Sequence, residues 1–209
     1  MLLLPKLINF ALLTVNRFHI DESHGVSHAL DVLHHSHNIL ESELPNHPYL
    51  ETQRNIVYTS ALMHDLCDKK YMNETTGVQN IDTFLQTNTT LTTDEIQVVD
   101  KIISTMSYSK VKTKGYPDLG KYQMAYHIVR EADLLSAYDV DRSIIYNMNN
   151  VVVDFSSSLE NALSLFEVRM FKHNEDNLFV TEYSKKLSLQ LEKKALDRIR
   201  IWKILSNEP

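Results

Sequence analysis

Helical periodicity with very little to interrupt it is what most constrains this chain. Apolar residues return at helical spacing over most of its length, while four glycines and five prolines are all that 209 residues offer for tight turns. A sandwich or barrel needs turn chemistry every few residues, so an all-α fold with a few longer loops is the expectation. One domain is the simplest reading of this length.

Val26, Leu30, Leu33, His37 and Leu40 form a stripe that predicts a helix from about residue 24 to 43. Pro45-Asn46-His47-Pro48 breaks it, and a helix from about 49 to 65 carries Ile56, Val57, Ser60, Ala61 and Met63. Residues 78 to 86 read as a short helix, and Thr92 with Glu95 has capping-box spacing before Ile96, Val99, Ile102 and Ile103. Gly115, Pro117 and Gly120 mark 107 to 121 as a loop. A helix with Tyr122, Ala125, Ile128, Val129 and Ala132 then leads into Asp133. Two long helices are predicted to close the chain, one from near Ser157 (Glu160 at capping-box spacing) and one from about Thr181 to Ile204.

Leu7, Phe10, Ala11 and Val15 share a helical face, so Met1 to Val15 reads as a core-packing helix. Lys6 and Asn9 interrupt it and it is too short to span a bilayer, which favours a cytosolic protein with no membrane partner. A formal charge of −6 argues against a nucleic-acid backbone as partner. The single cysteine, Cys67, fits a reducing compartment and reads as a packing residue, with no thiolate-stabilising group identifiable. Trp202 reads as core.

The chemistry concentrates at His64-Asp65, an imidazole beside a carboxylate at the end of an apolar helix. On a helix the two point roughly 100° apart, so they reach one ion only if it sits beside the helix end. His28 from an upstream helix and Asp133 from a later one would complete two imidazoles and two carboxylates, a donor mix that suits a divalent cation. A single His on a helix is more often a surface or core residue, and His34, His35 and His37 read that way.

The order His28 … His64-Asp65 … Asp133 resembles the H…HD…D signature of the HD-domain superfamily of metal-dependent phosphohydrolases. Asp68, Lys70 and Tyr71 match a subgroup's HD-x-x-D-x-K-aromatic extension. Ser23-His24, the Ile102 to Tyr108 segment and Ala132-Asp133-Leu134-Leu135 add to the likeness, and Leu165-Phe166 and Thr181 fit the subgroup's tail loosely. The resemblance implies an HD-domain bundle of antiparallel helices in which His28, His64, Asp65 and Asp133 hold one divalent ion (Mn, Mg, Fe, Co or Ni). It implies hydrolysis of a small phosphorylated substrate, a nucleotide being the best single guess. Asp68 would handle the proton of the attacking water, Lys70 would neutralise a phosphate oxygen, and His24 would contact substrate or support a ligand.

Three departures set this chain apart. Asp31 stands where many such proteins carry Arg, and Leu134 and Ser136 replace a basic and an acidic residue after the last ligand. They motivate an alternative: a weakly active or non-catalytic module that binds a nucleotide as a sensor. A mononuclear iron lyase or oxygenase is a third possibility, since nitrogen and oxygen donors also suit Fe(II). Between Asp65 and Asp133 only His127 is available for a second ion, and it falls on the far side of its helix, which favours one metal. Lys110, Lys112 and Lys114 either steer an anionic substrate or are simply solvated.

Overall fold

Helices account for nearly all of the computed structural model, which describes residues 3–150 and 154–206, and no strand occurs among the described residues. The elements are α1 (Leu3–Phe18), α2 (Val26–Glu43), α3 (Arg54–Met63), α4 (Glu74–Asn88), α5 (Thr93–Thr105), α6 (Tyr108–Lys114), α7 (Gln123–Ser136), α8 (Val140–Asn150), α9 (Phe155–Leu165), the four-residue α10 (Lys172–Glu175) and α11 (Glu182–Leu205). The first two residues of the predicted amino-terminal helix lie outside the described residues; in the rest, Leu7 and Ala11 are buried, with Phe10 and Val15 packed against the core. Thr92 and Glu95 form the expected capping box, and Thr181 caps α11 by accepting from the Ser184 N–H.

α2 is the centre of the packing, lying against both α7 and α3, while α3 also meets α1, α5 and α7. The predicted stripe on α2 does not describe its buried face. That face is His28, Ala29, Val32, Ser36, Ile39 and Leu40, with Leu30 and His37 exposed. Small and polar side chains point inward here because the helix carries a buried functional residue, so hydropathy alone misplaces the face.

The predicted helix over 49 to 65 divides. Pro48–Gln53 is a tighter 3-10 turn, and α3 stops at Met63. The cause lies in His64, whose Nδ1–H donates to the Ala61 carbonyl at 2.9 Å, and that carbonyl is the one a continuing helix would offer to the Asp65 N–H. The Leu66 N–H instead reaches the Met63 carbonyl at 3.1 Å, and the chain turns away from the helix axis. α4 passes close behind this turn because residue 77 is glycine: a Cβ there would meet the Cys67 Cβ at 2.7 Å. Cys67 is buried, and burial pushes its thiol up to about 12, in keeping with a packing role.

Other boundaries are corrected by local chemistry. Residues 108–114 are helical rather than loop, since the breakers begin only at Gly115, whose φ of 73° ends α6. The helix expected over 78 to 86 begins at Glu74, because the Asn73 side chain caps it by accepting from the Thr76 N–H. Likewise Asp154, not Ser157, caps α9 by accepting from the Ser157 N–H. α9 is not one long helix: it runs into a π turn over Phe166–Met170. Trp202 is half-buried rather than core, and its Nε1–H donates to Asp141 at 2.6 Å.

Candidate metal centre

Three elements bring the proposed ligands together: His28, His64 and Asp65 offer donor atoms that all lie within 4.8 Å of one another, and Asp133 approaches the two imidazoles. His28 is on the first turn of α2, His64 and Asp65 are on the turn that follows α3, and Asp133 is on the last turn of α7. Because α2, α3 and α7 all pack against one another, the three ends converge. Asp65, thrown sideways where α3 terminates, points toward the same space as its neighbour, which a continuous helix would not allow.

The His28 and His64 Nε2 atoms are 3.1 Å apart. Asp65 Oδ2 lies 3.3 Å from both, and Asp133 Oδ1 lies 3.4 Å from His28 and 3.8 Å from His64. Donors spaced about 3.0–3.5 Å apart match neighbouring ligands around an ion that each contacts at about 2.0–2.2 Å. Both imidazoles are buried, whereas the Asp65 and Asp133 side chains keep 19% and 25% of their exposure, on the side open to solvent. The His64 bond to Ala61 fixes the tautomer that leaves Nε2 as a free lone pair. Two carboxylates against two neutral imidazoles supply the charge of one divalent cation. Among the described residues no other group of three or more His, Cys, Asp or Glu side chains is close enough to share an ion. His127 packs beside Tyr116, Tyr126 and Gln123 instead.

Electrostatics gives the same picture. Burial opposes protonation of His64, yet the Asp65 and Asp133 carboxylates overcome it and raise its pKa to about 9. Burial raises the Asp133 carboxyl, but the His28 and His64 rings outweigh it and bring the pKa down to about 2. Asp65 is held well below the usual carboxylate range, where the two histidines overcome the cost of burial. Two anions crowd this space, and a proton on His64 offsets them until a cation replaces it.

The centre opens into a cleft of about 420 Å3 whose lining includes His24, Asp68, Lys70, Lys110, Arg142 and Arg169. Asp68 is not on a continuation of the His64 helix face, since α3 has ended. Its Oδ1 accepts from the Lys70 N–H at 2.8 Å, and this turn holds the carboxylate at the cleft wall. Lys70 Nζ donates to His24 Nε2 at 3.1 Å and lies 4.0 Å from Asp68. An ammonium can only donate, so His24 Nδ1 carries the ring proton and gives it to Ser23 Oγ at 2.7 Å. The Ser23 hydroxyl donates to Asp21, as does the Tyr71 phenol. Burial lowers the pKa of His24, with Asp65 opposing and Lys70 adding to the effect.

Arg142 escaped the sequence reading. α8, which carries it, was not anticipated, although Val140, Ile144 and Asn147 have the spacing of a buried face. Its Nη1 donates to the Ser23 carbonyl at 3.0 Å and touches His28 Nδ1. Ser136, one of the three departures, sits 3.4 Å from the same nitrogen, whereas Asp31 is exposed. Lys110 and Lys112 stand on α6 and pair with Glu74 at 2.6 Å and Asp176 at 3.6 Å. Of the α2 histidines, His34 and His37 are exposed and His35 half-buried, outside the cluster.

No family model matches the chain, and no curated protein matches it. Among solved structures it is similar to the crystal structure of a protein from Lactobacillus plantarum, a structural-genomics target, with a TM-score of 0.72 and 19% identity over 99% of this chain and 97% of that one. At that identity the likeness concerns the fold, and it runs essentially end to end.

Proposed function

We propose that the protein is a divalent-metal phosphohydrolase acting on a small phosphorylated substrate. The observation that carries this reading is the His28, His64 and Asp65 group, with Asp133 3.4 and 3.8 Å from its imidazoles, lining a cleft that also bears lysine and arginine side chains. When bound there, a divalent ion supplies Lewis acidity to a phosphoryl oxygen and activates water near neutral pH. Asp68, held by its bond to the Lys70 N–H, accepts the proton of the attacking water. Lys70 offsets the charge on a phosphate oxygen, and His24 holds the lysine ammonium at the cleft through Nε2. Nucleotides are the first substrates to try on the strength of the HD-domain resemblance. No helix is long and apolar enough to cross a membrane among the described residues.

A screen of nucleoside mono-, di- and triphosphates against Mn, Mg, Co and Ni tests this, alongside His64→Ala and Asp65→Ala. Both variants are expected to lose metal binding and turnover together; hydrolysis that persists in metal-free protein overturns the assignment. One observation favours the sensor alternative. The Arg142 guanidinium lies against His28 Nδ1 and can only donate, so the neutral ring carries its proton on Nε2, the nitrogen that a metal would need free. Nucleotide binding without product across all four metals would select the sensor reading, and iron in freshly purified protein would point to the lyase or oxygenase chemistry.

A further inference from the structure

Of the seven arginines in the chain, four are held by carboxylates: Arg54, Arg130, Arg198 and Arg200. Arg17 is on the exposed face of α1. The remaining two, Arg142 and Arg169, both line the cleft above the metal centre. The chain carries a net charge of −6, so carboxylates are plentiful, and two cations in a single cavity that pair with none among the described residues mark a place for an external anion.

Arg169 sits on an unusual piece of backbone. The Phe171 N–H donates to the Phe166 carbonyl at 2.9 Å, five residues back, so one turn is widened into a π helix. Such turns are often found where a helix presents a functional side chain. Phe166 and Met170 enter the core, Val168 faces solvent, and Arg169 lines the cleft. The guanidinium lies 4.6 Å from the centre of the Tyr108 ring, and its Nε is buried with no hydrogen-bond partner. The wholly buried His173 ring meets Tyr108 at a tilt, with centroids 5.5 Å apart. A guanidinium seated on an aromatic face keeps its donor edge free and loses little freedom when it grips a phosphate through two parallel bonds.

We propose that Arg169, supported by Tyr108, is a second anion subsite that binds a further phosphate of the substrate, beyond the phosphoryl group at the metal centre. This deepens the phosphohydrolase reading and rests on it; the substrate class becomes di- or triphosphate esters rather than monophosphates. Lys70 and Arg142, joined to the cleft through His24 and His28, serve the reacting phosphate, and Arg169 serves the distal one. The cleft, at about 420 Å3, has the size of an ordinary small-molecule site.

The experiment is calorimetric titration of EDTA-treated protein with inorganic orthophosphate and with tripolyphosphate, for wild type and Arg169→Met. Wild type is expected to prefer tripolyphosphate by at least about tenfold, the usual worth of a charged hydrogen-bond pair. Arg169→Met should erase that preference while changing orthophosphate affinity less than twofold. Equal or absent binding of the two anions to wild type overturns the proposal, as does a preference that survives in Arg169→Met. If that variant does not fold, Arg169→Lys decides: it keeps the charge but not the fork, so the preference should fall at least twofold, and an unchanged preference overturns the subsite. Because these titrations contain no metal, a failure of Mn2+ to bind wild type sinks the metal reading separately.

Discussion

Glu131 and Asp133 stand two residues apart on α7, and both are carboxylates in the protein interior, yet they are opposite cases. Glu131 is fully buried and completely satisfied. It accepts from the Val180 N–H at 2.6 Å, the Thr181 N–H at 3.2 Å and the Thr181 hydroxyl at 2.7 Å, and it meets Arg130 at 3.2 Å. It fastens the start of α11 to α7, where the positive end of the helix dipole adds to the hold. Asp133 has no backbone or hydroxyl donor, only the edges of two imidazoles and an open side toward the cleft. A buried charge with every lone pair used is architecture. One with its lone pairs gathered beside other electron-pair donors has the arrangement that a cation site requires.

The largest expected effect breaks that contrast directly. Glu131→Gln should cost about 3–5 kcal/mol of stability, the usual result of leaving one partner of a buried ion pair alone, while the protein that remains folded keeps its Mn2+ affinity. Asp133→Asn should do the reverse, with metal affinity falling at least about tenfold, within the range for losing a charged contact, and metal-free stability changing far less. Urea unfolding of EDTA-treated protein and Mn2+ titration separate the two. A Glu131→Gln protein that is folded but cannot bind Mn2+ would mean the two carboxylates form one functional unit.

The pH response sharpens the same contrast. The folded-state pKa of His64 is raised from 6.5 to about 9, so in metal-free protein its stabilisation is complete below pH 6.5 and is lost as pH rises through 9. Asp133, lowered from 3.8 to about 2, stabilises above pH 3.8 and loses that contribution as pH falls through 2. Metal-free protein should therefore melt at progressively lower temperature between pH 6.5 and 9. Mn2+ competes with the His64 proton, so its affinity should climb about tenfold per pH unit across that window and restore the lost melting temperature. His64→Ala should flatten the melting-temperature curve of metal-free protein; an unaltered pH slope in that variant would remove His64 as the titrating group.

What could be read in advance divides along similar lines. His64-Asp65 is legible because the two ligands adjoin in the chain, and the helical class is legible because the apolar period persists. The termination of α3 was not, since it depends on His64 taking the Ala61 carbonyl, a side-chain choice that propensity does not contain. Arg142 and Arg169 were invisible because a solitary arginine in an unaligned sequence looks like any surface cation. Only the fold reveals that their guanidiniums meet no carboxylate. The inward face of α2 was misjudged because Ser36 and His28, both buried, count as polar in any hydropathy pattern.

A third carboxylate arrangement extends the comparison to its smallest effect. Asp82 on α4 and Asp100 on α5 each have an oxygen buried without a hydrogen-bond partner, and the two carboxyls are joined only when one holds a proton between them. Burial and the neighbouring Asp82 raise the Asp100 pKa from 3.8 to about 7. Where Glu131 is met by N–H and hydroxyl donors and Asp133 by two imidazole edges, this pair is met by hydrogen ion. The sign follows from the raised value: the shared proton stabilises fully below pH 3.8, and the contribution is gone once pH passes through 7, where two anions face each other across the α4–α5 contact. Asp100→Asn keeps a donor to Asp82 at every pH. It should therefore raise the melting temperature at pH 8 by roughly 2–4 °C, the shift that about 1 kcal/mol produces in a chain of this size, and change it little at pH 5. A variant equally affected at both pH values would mean the pair is held by something other than its proton.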